Sequence, residues 1–151
     1  MQRRAITRMF VEARTVIVLG RAWREFVLAS FDLDESRILV LPNATEARPG
    51  RTTEDIPPLI LFLGRLGARK GVSVLLAALA ALTKTKLAWR AEIAGDGDVG
   101  PYSVEAEAAG LAGRVTFPGW LAESEAHERL SRAAVLVLPS EAEGPPMSII
   151  E

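Results

Sequence analysis

The apolar run Ala134-Val135-Leu136-Val137-Leu138, stopped by Pro139-Ser140 and followed by a polar loop and Pro146, constrains the fold more than any other stretch. A short, unbroken run rich in β-branched residues suits a strand buried on both faces of a parallel sheet. Pro146 stands where a helix opens, because proline's fixed φ suits a first turn whose N–H has no intrahelical partner. The stretch therefore reads strand, loop, helix. The free N–H groups at that helix start, including those of Met147 and Ser148, together with the positive end of the dipole, offer a seat for phosphate. Glu143 and Glu151 bracket it. Carboxylates beside a phosphate repel it unless they serve other groups, and hydroxyls are the groups from which a carboxylate accepts hydrogen bonds.

The same unit recurs upstream. Leu59 to Leu63 is an apolar strand followed by Gly64-Arg65-Leu66-Gly67-Ala68-Arg69-Lys70-Gly71 and a helix over Val72 to Leu82. Trp89 to Ile93 is a strand ending at Ala94-Gly95-Asp96-Gly97-Asp98, and a helix over Val104 to Leu111 is stopped by Gly110 or Gly113. Arg114 to Phe117 is a further strand, leading through Pro118-Gly119-Trp120-Leu121 to a helix over Glu123 to Arg132. Strands that alternate with helices imply a parallel sheet with right-handed crossovers, which is a Rossmann-like α/β fold. Open sheets of this kind bind ligands at the carboxyl ends of their strands, where glycines let the backbone approach closely. Arg65 and Lys70 flank one such turn. Trp120 follows another, where packing in the core or between domains is the commoner use of a large aromatic and stacking on a base the alternative. His127, among charged residues, reads as solvated surface.

The chain has 151 residues, 49% of them apolar and 25% charged, enough for one α/β domain with a sizeable core. A formal net charge of -1 provides no general field for nucleic acid or anionic lipid, so cations act only locally. There is no cysteine, which excludes disulfides, thiolate metal sites and a cysteine nucleophile. No apolar run reaches membrane-spanning length, and a cytoplasmic protein is the default expectation. Residues 1–13 form an amphipathic helix, carrying Arg3, Arg4 and Arg8 against Ile6, Met9, Phe10 and Val11. Packing on its own domain is favoured over peripheral contact with a membrane. Thr15 to Leu19, a helix over Ala22 to Ser30, and Arg37 to Leu41 complete a strand, helix and strand before Pro42-Asn43. Asp32-Leu33-Asp34 and Asp96-Gly97-Asp98 are spaced as metal ligands can be, but a turn organised by Asp34 or Ser36 is the favoured reading and no metal site is assigned. Residues 46–58, rich in Thr, Pro and Arg, read as a linker.

Three blocks in order, Gly64-Arg65 with Lys70-Gly71, the glycine turn at Gly95, and Pro139-Ser140 with Glu143-Gly144 and Glu151, resemble the retaining GT-B glycosyltransferases of the GT4-like (group 1) family. The resemblance covers essentially the whole chain; Gly20, where the family usually has Ser or Thr, is off pattern. It implies that residues 1–45 end an acceptor-side domain and that 59–151 form the nucleotide-sugar-binding domain, incomplete at both ends. It further implies that Arg65 and Lys70 grip the donor's diphosphate, that Glu143 contacts the donor sugar, and that Glu151 holds the ribose. The turns at Gly64, Gly95 and Gly119 and the N–H groups of Met147 and Ser148 would complete the donor site. The donor would be a UDP- or GDP-linked sugar and the acceptor a glycan or lipid-linked glycan, as in bacterial polysaccharide synthesis. The transfer of a hexosyl group would need neither a metal nor a protein nucleophile. With nearly all of the acceptor domain and everything after Glu151 lacking, weak donor binding and no turnover are expected. The alternatives are a non-catalytic Rossmann-like module for nucleotide or protein binding, and a phosphorylase or epimerase of the same architecture. The epimerase reading lacks acid–base residues to support it.

Overall fold

A computed structural model of the chain describes residues 2–45, 56–141 and 147–150. They fall into two compact units, one of residues 2–45 with Met147 and the other of residues 56–141 with 148–150.

In the first unit, helix α1 (Gln2–Glu12) precedes strand β1 (Val16–Val18), helix α2 (Arg21–Ser30) and strand β2 (Ile38–Val40). β1 and β2 pair in parallel, Val16 opposite Ile38 and Val18 opposite Val40. Val16, Val18 and Val27 are buried, with Phe10, Phe31 and Leu33 packed around them. The Phe10 and Phe31 rings stack with centroids 4.4 Å apart. Arg37 ties the end of α1 to β2 by donating to the carbonyls of Val11 and Ala13. The Asp34 carboxylate accepts from the Ser36 N–H at 2.9 Å, as the turn reading expects. That backbone bond, and next the Ser36 hydroxyl, hold its pKa below the ordinary value.

In the second unit, strands β3 (Leu59–Leu63), β4 (Arg90–Ala94), β5 (Val115–Gly119) and β6 (Val135–Leu136) form one sheet in the order β5-β4-β3-β6. Every pairing is parallel. Helices α3 (Val72–Leu82), α4 (Gly100–Ala108) and α5 (Glu123–Arg132) make the crossovers, and a four-residue helix α6 (Met147–Ile150) comes last in chain order. Leu59, Leu61, Phe62 and Ile93 of the central strands are fully buried. α3 lays Val72, Leu75, Leu76 and Leu79 onto that sheet, the i, i+3, i+4, i+7 stripe of a helix packed on one side. The mixed α/β architecture with parallel sheets is the Rossmann-like arrangement that the alternating strands and helices imply.

Three expectations are corrected. The run 134–138, read as a strand buried on both faces, pairs over only two residues at the edge of the described sheet, and Val135 is half exposed. One neighbour on one side leaves the other edge uncovered among the described residues. The helix expected from Val104 begins four residues earlier, at Gly100, because Pro101 in its first turn is a starter and the Asp98 carboxylate accepts from the Gly100 N–H at 3.0 Å. His127 is not solvated surface: both ring nitrogens are buried, without a hydrogen-bond partner.

Candidate nucleotide-binding site

The carboxyl ends of the parallel strands bring four turns together, and main-chain hydrogen bonds join them. The Gly64 N–H donates to the Ala94 carbonyl at 3.0 Å and the Leu66 N–H to the Asp96 carbonyl at 2.6 Å. The Gly95 N–H donates to the Gly119 carbonyl at 2.8 Å, and the Glu141 N–H to the Arg69 carbonyl at 3.1 Å. The β3 turn is thus held between the β4 turn on one side and the residues after β6 on the other.

Two glycines permit this closeness. Gly95 has φ +147, and a Cβ there would collide with the Gly64 carbonyl. Gly71 has φ +72, and a Cβ there would collide with the Pro139 carbonyl. Both collisions are with backbone, which cannot rotate aside, so each position demands glycine on conformation and on space alike.

Between the β3, β4 and β5 turns lies an open cleft of about 270 Å³, lined by Gly64, Arg65, Gly95, Asp96, Trp120 and Leu121 among others. Its volume lies just below the range usual for small-molecule sites. Arg65 supplies a cation whose side chain is 78% exposed, with the Asp96 carboxylate 3.9 Å from its Nε. Trp120 is 78% exposed, so it is no part of the core, contrary to the core half of the packing expectation. Ala126 of α5 forms part of the wall.

Of the residues singled out in the sequence, the fold brings Gly64, Arg65 and Gly95 into the cleft. Gly119 adjoins it through the bond to Gly95 and takes φ 79 at the end of β5. Lys70 closes the short 3-10 turn Ala68–Lys70, just before α3 and next to the glycine packed on Pro139, and does not line the cleft. Met147 and Ser148 open α6 and do not line it either. Glu143 and Glu151 lie outside the described residues.

Sequence reasoning passed over Glu92. It is a buried carboxylate in β4 that accepts from Arg90 Nη1 at 2.5 Å and from Arg129 Nε of α5 at 2.8 Å. A lone acid inside the apolar strand Arg90-Ala91-Glu92-Ile93-Ala94 was the available signal, since a buried charge requires partners. The pair fastens α5, and with it one wall of the cleft, to the sheet. At the amino end of the same helix the Glu125 carboxylate accepts from the Ala122 N–H at 2.8 Å. Among the described residues no group of three His, Cys, Asp or Glu side chains converges, and no helix is long and apolar enough to cross a membrane.

Comparison with known proteins agrees with this architecture. The chain is 35% identical over 112 residues to the alpha-D-kanosaminyltransferase of Streptomyces kanamyceticus, an alignment covering 71% of this chain and 29% of that protein. Among solved structures, a point mutant of S. aureus TarM in complex with fondaparinux, alpha-GlcNAc-glycerol and UDP superposes with a TM-score of 0.82 at 21% identity, over 97% of this chain and 29% of that one. The lipopolysaccharide outer core galactosyltransferase WaaB, in its apo form, gives a TM-score of 0.71 at 23% identity, over 91% of this chain and 40% of the other. The chain thus spans well under half the length of these relatives. The sequence model of the family described as glycosyl transferases group 1 matches residues 57–151, the second unit with its cleft. This chain belongs to the group 1 glycosyl transferases.

Proposed function

We propose that residues 59–151 are the donor half of a retaining, GT4-like glycosyltransferase that moves a hexosyl group from a nucleotide-diphosphate sugar to a glycan or lipid-linked acceptor. Residues 1–45 then belong to the acceptor-side domain, joined by a linker over 46–58. The observation that carries this reading is the arrangement of the β3, β4 and β5 turns. They are bonded to one another at the carboxyl edge of a parallel sheet, with Arg65 in the cleft between them. Family membership supports the same reading, as does the UDP with which the structurally similar TarM was solved.

The chemistry asks for stabilisation of a nucleoside diphosphate as the bond from its terminal phosphate to the sugar breaks. Arg65 at the cleft and Lys70 at the far end of the same turn would carry that charge, with the N–H groups of Met147 and Ser148 as further donors. Fixed cations of this kind need no metal ion. Glu143 would orient the sugar hydroxyls and Glu151 the ribose diol, each by accepting hydrogen bonds. Gly64, Gly95 and Gly119 let the backbone close on the ligand, and Trp120 would stack on the base. The acceptor hydroxyl attacks the anomeric carbon from the face the diphosphate leaves, and the departing phosphate oxygen takes its proton. A cytoplasmic place of action, where nucleotide sugars are made, completes the reading.

Calorimetric titration of the chain with UDP, GDP and ADP, beside Arg65→Ala, tests it. One nucleotide is expected to bind, and the variant is expected to weaken it at least about tenfold, as for loss of one charge-assisted contact. Binding that Arg65→Ala leaves unchanged would contradict the assignment. A non-catalytic protein-binding module would take up none of the three.

A further inference from the structure

We propose that Asp96 sets the charge of the diphosphate site, opposing a free nucleoside diphosphate more strongly than a sugar-capped one and so favouring release of the product over the donor. The inference rests on the donor-site reading above and concerns a residue which that reading leaves without a role.

The geometry separates two effects that the Asp96 carboxylate could have on Arg65. One is to hold the guanidinium in place. The pair, however, is 3.9 Å apart, too long for a hydrogen bond, and its two side chains are 78% and 66% exposed. Such pairs fix little. The position of Arg65 is set instead by the main chain, through the Gly64 N–H on the Ala94 carbonyl and the Leu66 N–H on the Asp96 carbonyl. Neither bond uses the Asp96 side chain.

The other effect is electrostatic. A diphosphate drawn to Arg65 enters the cleft that Asp96 also lines, and its charge meets the carboxylate at a few ångströms. The repulsion grows with the charge of the ligand. A terminal phosphate freed of its sugar regains an ionisable oxygen and carries about one more negative charge near neutral pH than the esterified donor. Asp96 therefore penalises product more than donor. Asp98 provides the comparison: it lies two residues on in the same turn, its carboxylate already accepts from the Gly100 N–H at 3.0 Å, and it does not line the cleft.

The test is calorimetric titration of wild type, Asp96→Asn and Asp98→Asn with UDP and UDP-glucose, or with GDP and GDP-mannose where the guanine pair binds, at low salt and at about 1 M NaCl. Circular dichroism checks that the variants fold. Asp96→Asn is expected to tighten the free diphosphate about threefold to tenfold at low salt and the sugar nucleotide by less. The gain should largely vanish at high salt, and Asp98→Asn should change either ligand by less than about twofold. A weaker diphosphate complex in Asp96→Asn, or an equal change for both ligands, would overturn the proposal while leaving the donor site standing. A wild-type chain that binds neither nucleotide pair would overturn the donor-site reading and this inference with it.

Discussion

At the residue scale, the cleft contains side chains whose exposure makes no sense for stability alone. Trp120 is a large aromatic left 78% exposed beside two glycine turns and an arginine. Its removal costs the fold little, since a surface substitution away from any packed feature stays within about 0.5 kcal/mol. If the indole stacks on a base, Trp120→Ala loses about 1 kcal/mol of nucleotide binding, roughly fivefold in affinity, with an unchanged melting temperature. Differential scanning calorimetry beside a nucleotide titration checks both halves of that expectation. A fall in melting temperature matching the loss of affinity would mean that the ring packs rather than binds.

At the element scale, α5 is the wall with an identifiable fastening. Arg129 reaches from the helix to Glu92 in β4, and Arg90 reaches the same carboxylate along the strand. Truncating Arg129 to Ala leaves that buried charge with one partner, which is expected to cost about 1–3 kcal/mol, less than for a fully buried pair because the arginine is itself partly exposed. The Glu92→Gln, Arg129→Met double variant should recover part of the loss, since no unpaired charge is then buried. Chemical denaturation of the three proteins gives the comparison. Arg129→Ala as stable as wild type would show that Arg90 alone satisfies Glu92.

Element type was legible from the chain wherever an apolar run and a glycine or proline fell together. β3 and α3 occupy the residues that their patterns mark, because Gly64 and Gly71 punctuate both ends of the intervening turn. The start of α4 was missed because Val104 opens the apolar pattern while Pro101 and the Asp98 bond open the helix. β6 looked longer than it is because a run of apolar residues gives composition but says nothing of how many neighbours a strand has. Gly64, Arg65 and Gly95 were legible as residues that the strand ends bring to one cleft, since turn chemistry after a strand is a local signal. Asp96 beside Arg65, Arg129 on Glu92 and the buried ring nitrogens of His127 join or enclose residues far apart in sequence, and only the fold brings them together.

At the scale of the whole molecule, the family match over residues 57–151 takes in the turns from which the cleft is built. On the proposed function, a nucleoside diphosphate binds at the carboxyl edge of the β5-β4-β3-β6 sheet. The most direct measurement is ¹H–¹⁵N chemical-shift mapping of the 16.3 kDa chain with UDP and GDP added in turn. One nucleotide is expected to move the amides of Gly64 to Leu66, Gly95, Asp96, Gly119 and Trp120 together, along a single saturation curve. Shifts confined to residues 2–45, or none in these turns at saturating nucleotide, would contradict it.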